Sequence, residues 1–99
     1  MKNVKLSARE EQILNDIYRL ILDESLTSQE REVLMKAKNL IEGGEYVPQI
    51  VQRIQVSFTL LALNGKLSPS VRKFSQKIPE RLHEILPFGS VPLGINRPL

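Results

Sequence analysis

The apolar residues of this chain recur at intervals of three or four in four separate stretches, which is the spacing of amphipathic helices. The first stripe spans residues 7–22 and ends at the polar run of residues 23–25. The second spans residues 27–42 and ends before Gly43 and Gly44, because glycine readily takes the left-handed conformation that closes a helix. The pattern therefore predicts two helices in the N-terminal half.

Both of these helices begin with the same capping pattern. The stretches LSAREEQIL (residues 6–14) and LTSQEREVL (residues 26–34) repeat each other at an offset of twenty residues. Ser7 precedes Glu10 by three positions, and Thr27 precedes Glu30 by three. At that spacing each side chain can accept a hydrogen bond from the backbone N–H of the other residue. The pattern predicts a helix start at each hydroxyl residue.

A third helix is predicted over residues 48–64, beginning at Pro48 and ending at Asn64 and Gly65. Its apolar side chains surround most of the helix and Arg53 is its only charge, so we expect it to be the most buried helix. A strand over residues 51–61 is the alternative, because β-branched side chains favour strands. The length of the segment favours a helix, since typical strands are shorter.

A fourth helix is predicted over residues 68–86. Ser68 provides a capping hydroxyl, and Pro69 suits the first helical position. The apolar stripe keeps its register through Pro79, so we expect the helix to continue past this proline with a kink. Four such helices joined by short connections predict an all-α fold, an antiparallel up-and-down four-helix bundle of residues 1–86.

Residues 87–99, PFGSVPLGINRPL, form a separate C-terminal tail in this prediction. Three prolines and two glycines in this segment exclude a helix. Burial of all the apolar side chains of the tail offsets the conformational entropy of ordering it at best, and the balance is near zero or unfavourable. We therefore expect a tail that is partly docked through Phe88, with a loose end available to a partner; a tail that only covers an apolar gap between helices is the alternative. The candidate partner contacts in the tail are its apolar residues Phe88, Val91, Leu93 and Ile95.

The net charge of +3 is unevenly distributed along the chain. Residues 1–45 carry seven basic and nine acidic side chains, whereas residues 46–99 carry seven basic and two acidic ones. An anionic partner is therefore expected on the C-terminal half. On the fourth helix, Lys73, Lys77 and Arg81 share one face and Arg72 adjoins it. These four are candidate partner-binding residues; exposed side chains without a binding role are the alternative.

The sequence contains no residue set that predicts catalysis. One histidine and no cysteine argue against nucleophile–base triads and thiolate metal sites. Glu80 and His83 have the Glu-x-x-His spacing of carboxylate-bridged metal bundles, but helical geometry turns both away from the apolar stripe. We expect no enzymatic activity, metal or cofactor.

The cellular location is also predicted from apolar segments. No apolar segment of a signal peptide follows the first lysines. The longest uncharged run of the body, residues 54–65, is shorter than the roughly 20 residues that span a bilayer. These features predict a soluble protein of the cytoplasm.

The two capping stretches look like the opening of the helix-turn-helix domain of LuxR-type response regulators. Such a domain continues with a tight turn and a recognition helix that carries basic and polar residues at its front. This chain continues instead with GGEYVPQIVQRIQVSFTLLAL, which predicts a long buried helix. A small helical DNA-binding or regulatory protein is therefore the alternative function.

As a whole, the chain resembles the immunity proteins that protect bacteria from pediocin-like (class IIa) bacteriocins, of the enterocin A immunity type. The stretch YVPQIVQRIQVSFTLLALNGKLSPSVRKF carries most of the likeness. It contains an apolar third helix after a connection with glycine and proline, and a short asparagine-containing turn into a fourth. The four-helix layout and the irregular tail complete the resemblance.

The resemblance implies an antiparallel four-helix bundle without enzymatic activity, cofactor or small-molecule substrate. It implies a cytosolic protein that acts on the complex of the bacteriocin with its membrane receptor, the mannose phosphotransferase permease. It allows a peripheral contact with the inner face of the membrane, and it assigns discrimination among bacteriocins to the C-terminal half, here residues 68–99. Pro79 and the proline density of the tail depart from the family's pattern.

Overall fold

Four α-helices make up most of the chain in the computed structural model, which describes residues 6–65, 67–85 and 98–99. They are α1 (Ala8–Ile21), α2 (Ser28–Glu42), α3 (Val47–Asn64) and α4 (Pro69–Ile85). No strand occurs among the described residues, so the all-α prediction is confirmed and the strand alternative for residues 51–61 is wrong. The separate tail of residues 87–99 stays a prediction.

The capping pattern read from the sequence forms at both predicted helix starts. Ser7 Oγ accepts a hydrogen bond from Glu10 N at 3.2 Å, and Glu10 Oε1 accepts one from Ser7 N at 2.9 Å. Thr27 and Glu30 form the same pair, at 3.1 and 2.8 Å. Each pair satisfies two backbone donors that the first turn of a helix leaves without a partner.

Each helix packs against the next one in the chain, and α4 packs back against α1. The connections have four to six residues, too few to carry the chain back along a helix, so consecutive helices run in opposite directions. The start of α1 meets the end of α4 through an ion pair between Arg9 and Glu84. The result is a closed ring of four antiparallel helices around one core.

The core is built mainly on the first part of α3, which buries more residues than any other described helix. All seven of its buried residues lie within its first twelve positions, from Val47 to Phe58. The prediction that this is the most buried helix is confirmed among the described helices, although Leu60 is 44% exposed and Leu63 is 78% exposed near its end. The C-terminal end of α3 therefore contacts the core through Leu61 and exposes its other leucines.

The fourth helix continues through Pro79 without a break, as its apolar register predicted. Pro79 is exposed, whereas Val71 and Ile78 of the same helix are buried. The proline therefore lies on the solvent side of α4 rather than on its buried face. Phe74 and Leu82 pack against the core from partly buried positions, so one face of α4 is fixed and its basic residues lie beside that face.

Candidate functional site

The predicted basic face of α4 borders a groove that α4 shares with α1. Lys73, Lys77 and Arg81 line this groove, which has a volume of about 340 Å³. Arg72 lies outside it; its guanidinium Nη2 donates to Leu67 O at 3.4 Å, close to the start of α4. The structure thus brings three of the four predicted basic residues to one site.

The opposite wall of the groove comes from α1. Gln12, Asp16 and Arg19 follow one another at intervals of four and three, which places them on one side of the helix. The floor is apolar, because Leu20 of α1 and Phe74 of α4 both pack against the core from partly buried positions. The groove therefore combines charged walls with an apolar base.

Arg81 closes one end of the groove by pairing with carboxylates of both helices. Its Nη2 lies 3.3 Å from Asp16 Oδ2, and its Nη1 lies 3.7 Å from Glu84 Oε1. Glu84 also pairs with Arg9. Because Arg81 is only partly exposed and already paired, its first role is to join α1 to α4.

Three positive side chains remain exposed around the rest of the groove: Arg19, Lys73 and Lys77. None of them forms an ion pair with another described residue. Asp16, the single acidic residue among the described lining residues, is already paired with Arg81. The groove can therefore attract an anionic group with three cations that lack a carboxylate in the described structure.

Arg19 is a lining residue that the sequence prediction missed. It belongs to residues 1–45, where acidic side chains outnumber basic ones. Comparing the net charge of the two halves of the chain therefore does not reveal it. The available signal was its spacing from Gln12 and Asp16 along the polar side of α1. Spacing within one helix, however, does not reveal which partner helix lies beside that side.

The four candidate contacts of the tail, Phe88, Val91, Leu93 and Ile95, lie outside the described residues. The last two residues of the sequence are described, and there the predicted loose end is wrong. Leu99 N donates to Ser57 Oγ at 2.8 Å, and Arg53 Nη2 donates to Pro98 O at 3.4 Å. Ser57 is only 4% exposed, so this hydrogen bond joins the last residue to a buried hydroxyl of α3 and holds it on the bundle.

Leu99 therefore contacts the α2/α3 side of the ring rather than the α1/α4 groove. It lines a cavity of about 300 Å³ together with side chains of both helices, Lys36, Asn39, Leu40 and Arg53. Its own side chain packs partly buried against the core. The end of the sequence and the basic groove thus lie on different pairs of helices.

Other expected properties concern metal binding and membranes. Glu80 and His83 are both exposed, as their helical positions predicted. Within the described ranges, no group of histidine and acidic residues could hold a metal ion. Among the four helices described, none has the combination of length and apolar character that crossing a membrane requires.

A family model provides the comparison with known proteins. The model of the bacteriocin immunity protein family matches residues 8–83, from the first residue of α1 almost to the end of α4. No curated protein and no solved structure matches this chain significantly. The match includes both walls of the α1/α4 groove.

Proposed function

Because the chain belongs to the bacteriocin immunity protein family, we propose that it protects the cell that produces a pediocin-like bacteriocin. It does so without catalysis, from the cytoplasm, by contacting the complex of the bacteriocin with its membrane receptor. The receptor in this proposal is the mannose phosphotransferase permease. The observation that carries the proposal is the family match over residues 8–83.

The contact surface in this proposal combines α4 with the tail. Arg72, Lys73 and Lys77 are exposed and available to a partner, while Arg81 holds the groove together from one end. Phe88, Val91, Leu93 and Ile95 add apolar contacts from the tail. Basic side chains steer an anionic partner towards the site, and apolar residues then supply most of the binding free energy.

The alternative of a DNA-binding regulator receives no support from the arrangement of the helices. A helix-turn-helix domain needs a short recognition helix with an accessible face after its second helix. Here the third helix has 18 residues and buries seven of them. The long, buried third helix therefore favours the immunity function over DNA binding.

Expression of the full chain in a strain sensitive to pediocin-like bacteriocins tests the proposal. We expect growth at bacteriocin concentrations that stop the same strain carrying an empty vector. Exchange of residues 68–99 with those of another family member should change which bacteriocin is tolerated. If the chain raises tolerance to no bacteriocin of this class, the proposal is wrong.

A further inference from the structure

We propose that the groove between α1 and α4 binds an acidic segment of a protein partner, with two carboxylates on its walls and one apolar side chain on its floor. The observation behind it is the juxtaposition of Arg19, Lys73 and Lys77 around the partly buried Leu20 and Phe74. This inference rests on the proposed function, because it specifies the chemistry of the segment that the partner presents.

The spacing of the cations sets the spacing of the carboxylates. Lys73 and Lys77 are one helical turn apart, about 6 Å along α4 at 1.5 Å per residue. Two acidic residues separated by one intervening residue in an extended segment are about 7 Å apart and point to the same side. The intervening residue then points the other way, so the apolar side chain comes from the position two residues beyond an acid, which points to the same side as the acids.

The floor accounts for the apolar part of the partner segment. Leu20 and Phe74 reach the groove from opposite helices, and each packs against the core behind it. A volume of about 340 Å³ is at the lower end of the range for ligand sites. It accommodates one large side chain with its flanking backbone.

The position of the groove along the helices argues against a phosphate site. Its first lining residues are Gln12 on α1 and Lys73 on α4, each the fifth residue of its helix. The backbone N–H groups left without an intrahelical acceptor belong to the first four residues, so none of them lines this groove. A phosphate site commonly uses such N–H groups, whereas carboxylates on a flexible segment need only side-chain cations.

The recessed shape argues against a membrane surface as the occupant. A flat bilayer contacts side chains that protrude from a protein, whereas Leu20 and Phe74 are partly buried between two helices. The carboxylate of Asp16 further limits what the groove accepts, because it repels additional acids near Arg81. The acidic residues of the partner segment therefore lie beside Arg19, Lys73 and Lys77 rather than beside Arg81.

Nuclear magnetic resonance of the full-length, ¹⁵N-labelled protein tests the inference with defined probes. The first probe is a capped peptide of sequence Gly-Glu-Ser-Glu-Ser-Leu-Gly, in which both glutamates and the leucine point to one side of an extended chain, and the second replaces both glutamates by glutamines. We expect saturable shifts at the amides of Arg19, Lys73, Phe74 and Lys77 with the first peptide and much weaker ones with the second. Added salt should weaken the binding.

Variants of the lysines show whether the peptide binds in the groove. Their thermal midpoints show whether they remain folded. The double change Lys73→Gln and Lys77→Gln removes two exposed cations and should weaken peptide binding roughly tenfold, with an unchanged thermal midpoint. The matched control is Lys36→Gln on α2, which should bind the peptide like the unchanged protein. Equal binding of the acidic peptide by the double variant would overturn the inference.

Two further probes test whether the groove binds anionic ligands other than an acidic peptide. Inorganic phosphate should not reproduce the shifts, and phosphatidylglycerol vesicles should not compete with the peptide. If phosphate or the vesicles engage Arg19, Lys73 and Lys77 while the peptide does not, the acidic-segment assignment is wrong. A protein that confers tolerance but fails to bind the peptide refutes this inference alone; one that binds the peptide but confers no tolerance refutes the proposed function.

Discussion

Glu30 Oε2 accepts a hydrogen bond of 2.8 Å from the backbone N–H of Ser68, which lies 38 residues further along the chain. Its other oxygen, Oε1, lies 2.6 Å from the hydroxyl of Ser68 and accepts the 2.8 Å bond from Thr27 N. One carboxylate thus caps α2 and holds the residue that precedes α4. With Glu30 only 2% exposed, this polar contact lies inside the bundle.

This relationship corrects the role expected for Ser68. The sequence predicted that its hydroxyl would cap α4, but in the structure the hydroxyl lies within hydrogen-bonding distance of Glu30 Oε1 and of Ser25 O. Among the described hydrogen bonds, none joins this hydroxyl to an amide of α4. Ser68 therefore connects the start of α4 to α2 rather than closing its own helix.

Substitution of Glu30 tests the double contact. Glu30→Gln keeps the size of the side chain but replaces a charged acceptor with an amide, whose NH₂ group faces N–H donors. We expect the free energy of unfolding to fall by about 1–3 kcal/mol, measured by urea denaturation. The matched control is Glu10→Gln in the exposed capping box of α1, which should cost less than about 1 kcal/mol. Equal losses at the two sites would contradict a special role for Glu30.

Stability should fall in acid because two carboxyl groups near the start of α4 have lowered pKa values. Burial by itself raises the pKa of Glu30, but the hydrogen bonds from Ser68 and Thr27 outweigh it and hold the pKa below its ordinary value. Hydrogen bonds from the hydroxyls of Ser70 and Ser25 lower the pKa of Asp23 to about 2. For both groups the unfolded state takes up protons first as the pH falls.

The sign of the pH dependence follows from these lowered values. The stabilisation is complete above the pKa of the unfolded groups and is lost as the pH falls from about 5 towards about 2. Thermal unfolding measured across this range should show a decreasing midpoint. A double variant, Glu30→Gln with Asp23→Asn, should show a flatter curve, and an equally steep curve in that variant would assign the acid sensitivity to other groups.

The contact between Ser57 and Leu99 predicts a local effect at the end of the sequence. Ser57→Ala removes the acceptor for Leu99 N and should lower the free energy of unfolding by about 0.5–1.5 kcal/mol. Hydrogen exchange at the Leu99 amide should become faster. Ser75→Ala is the control, because Ser75 Oγ is buried without a hydrogen-bond partner in the described structure. A loss at Ser75 as large as that at Ser57 would contradict the assignment.

The paired and the unpaired basic residues around the groove should contribute differently to the free energy of unfolding. Arg81→Gln breaks pairs with Asp16 and Glu84 and should lower the free energy of unfolding by up to about 1 kcal/mol, the range of partly exposed pairs. Lys77→Gln should leave it unchanged, because Lys77 pairs with no described acidic residue. A double-mutant cycle of Arg81 and Asp16 measures the coupling; zero coupling would remove the structural role of Arg81.

The extent of the core along α3 gives a further prediction. Ile54→Ala should lower the free energy of unfolding by about 2–5 kcal/mol, because Ile54 is fully buried and its truncation leaves a cavity. Leu63→Ala, in the last turn, should change it by less than about 0.5 kcal/mol. Chemical denaturation of both variants measures the difference, and a large loss for Leu63→Ala would mean that another part of the chain covers this residue.

Local features of the sequence predicted the helices well. The capping pairs at Ser7 and Thr27 need only residues three positions apart, and the closing turn at Gly44, with φ of 94°, needs only a residue that tolerates that conformation. The predicted and observed bounds of the four helices differ by one residue at most. Interactions within one turn of helix are encoded by neighbouring residues, so they are readable from the sequence.

The candidate site was only partly predictable from the sequence. Lys73, Lys77 and Arg81 could be placed on one face by their spacing of four. Their relation to Arg19 and to the apolar floor could not, because it depends on which side of α1 packs beside α4. The same limit applies to the exposed end of α3, whose leucines look like core residues until the length of the neighbouring helices is known.

By itself, the sequence determined four amphipathic helices, their order and the short connections that force them to alternate in direction, because each depends on residues close together in the chain. Only the tertiary structure decided that Glu30 holds Ser68, that Ser57 receives Leu99 and that Arg81 is occupied by Asp16. These contacts join residues 38 to 65 positions apart. Which distant residues meet depends on how the whole core packs, and this packing cannot be read from the pattern of neighbouring residues.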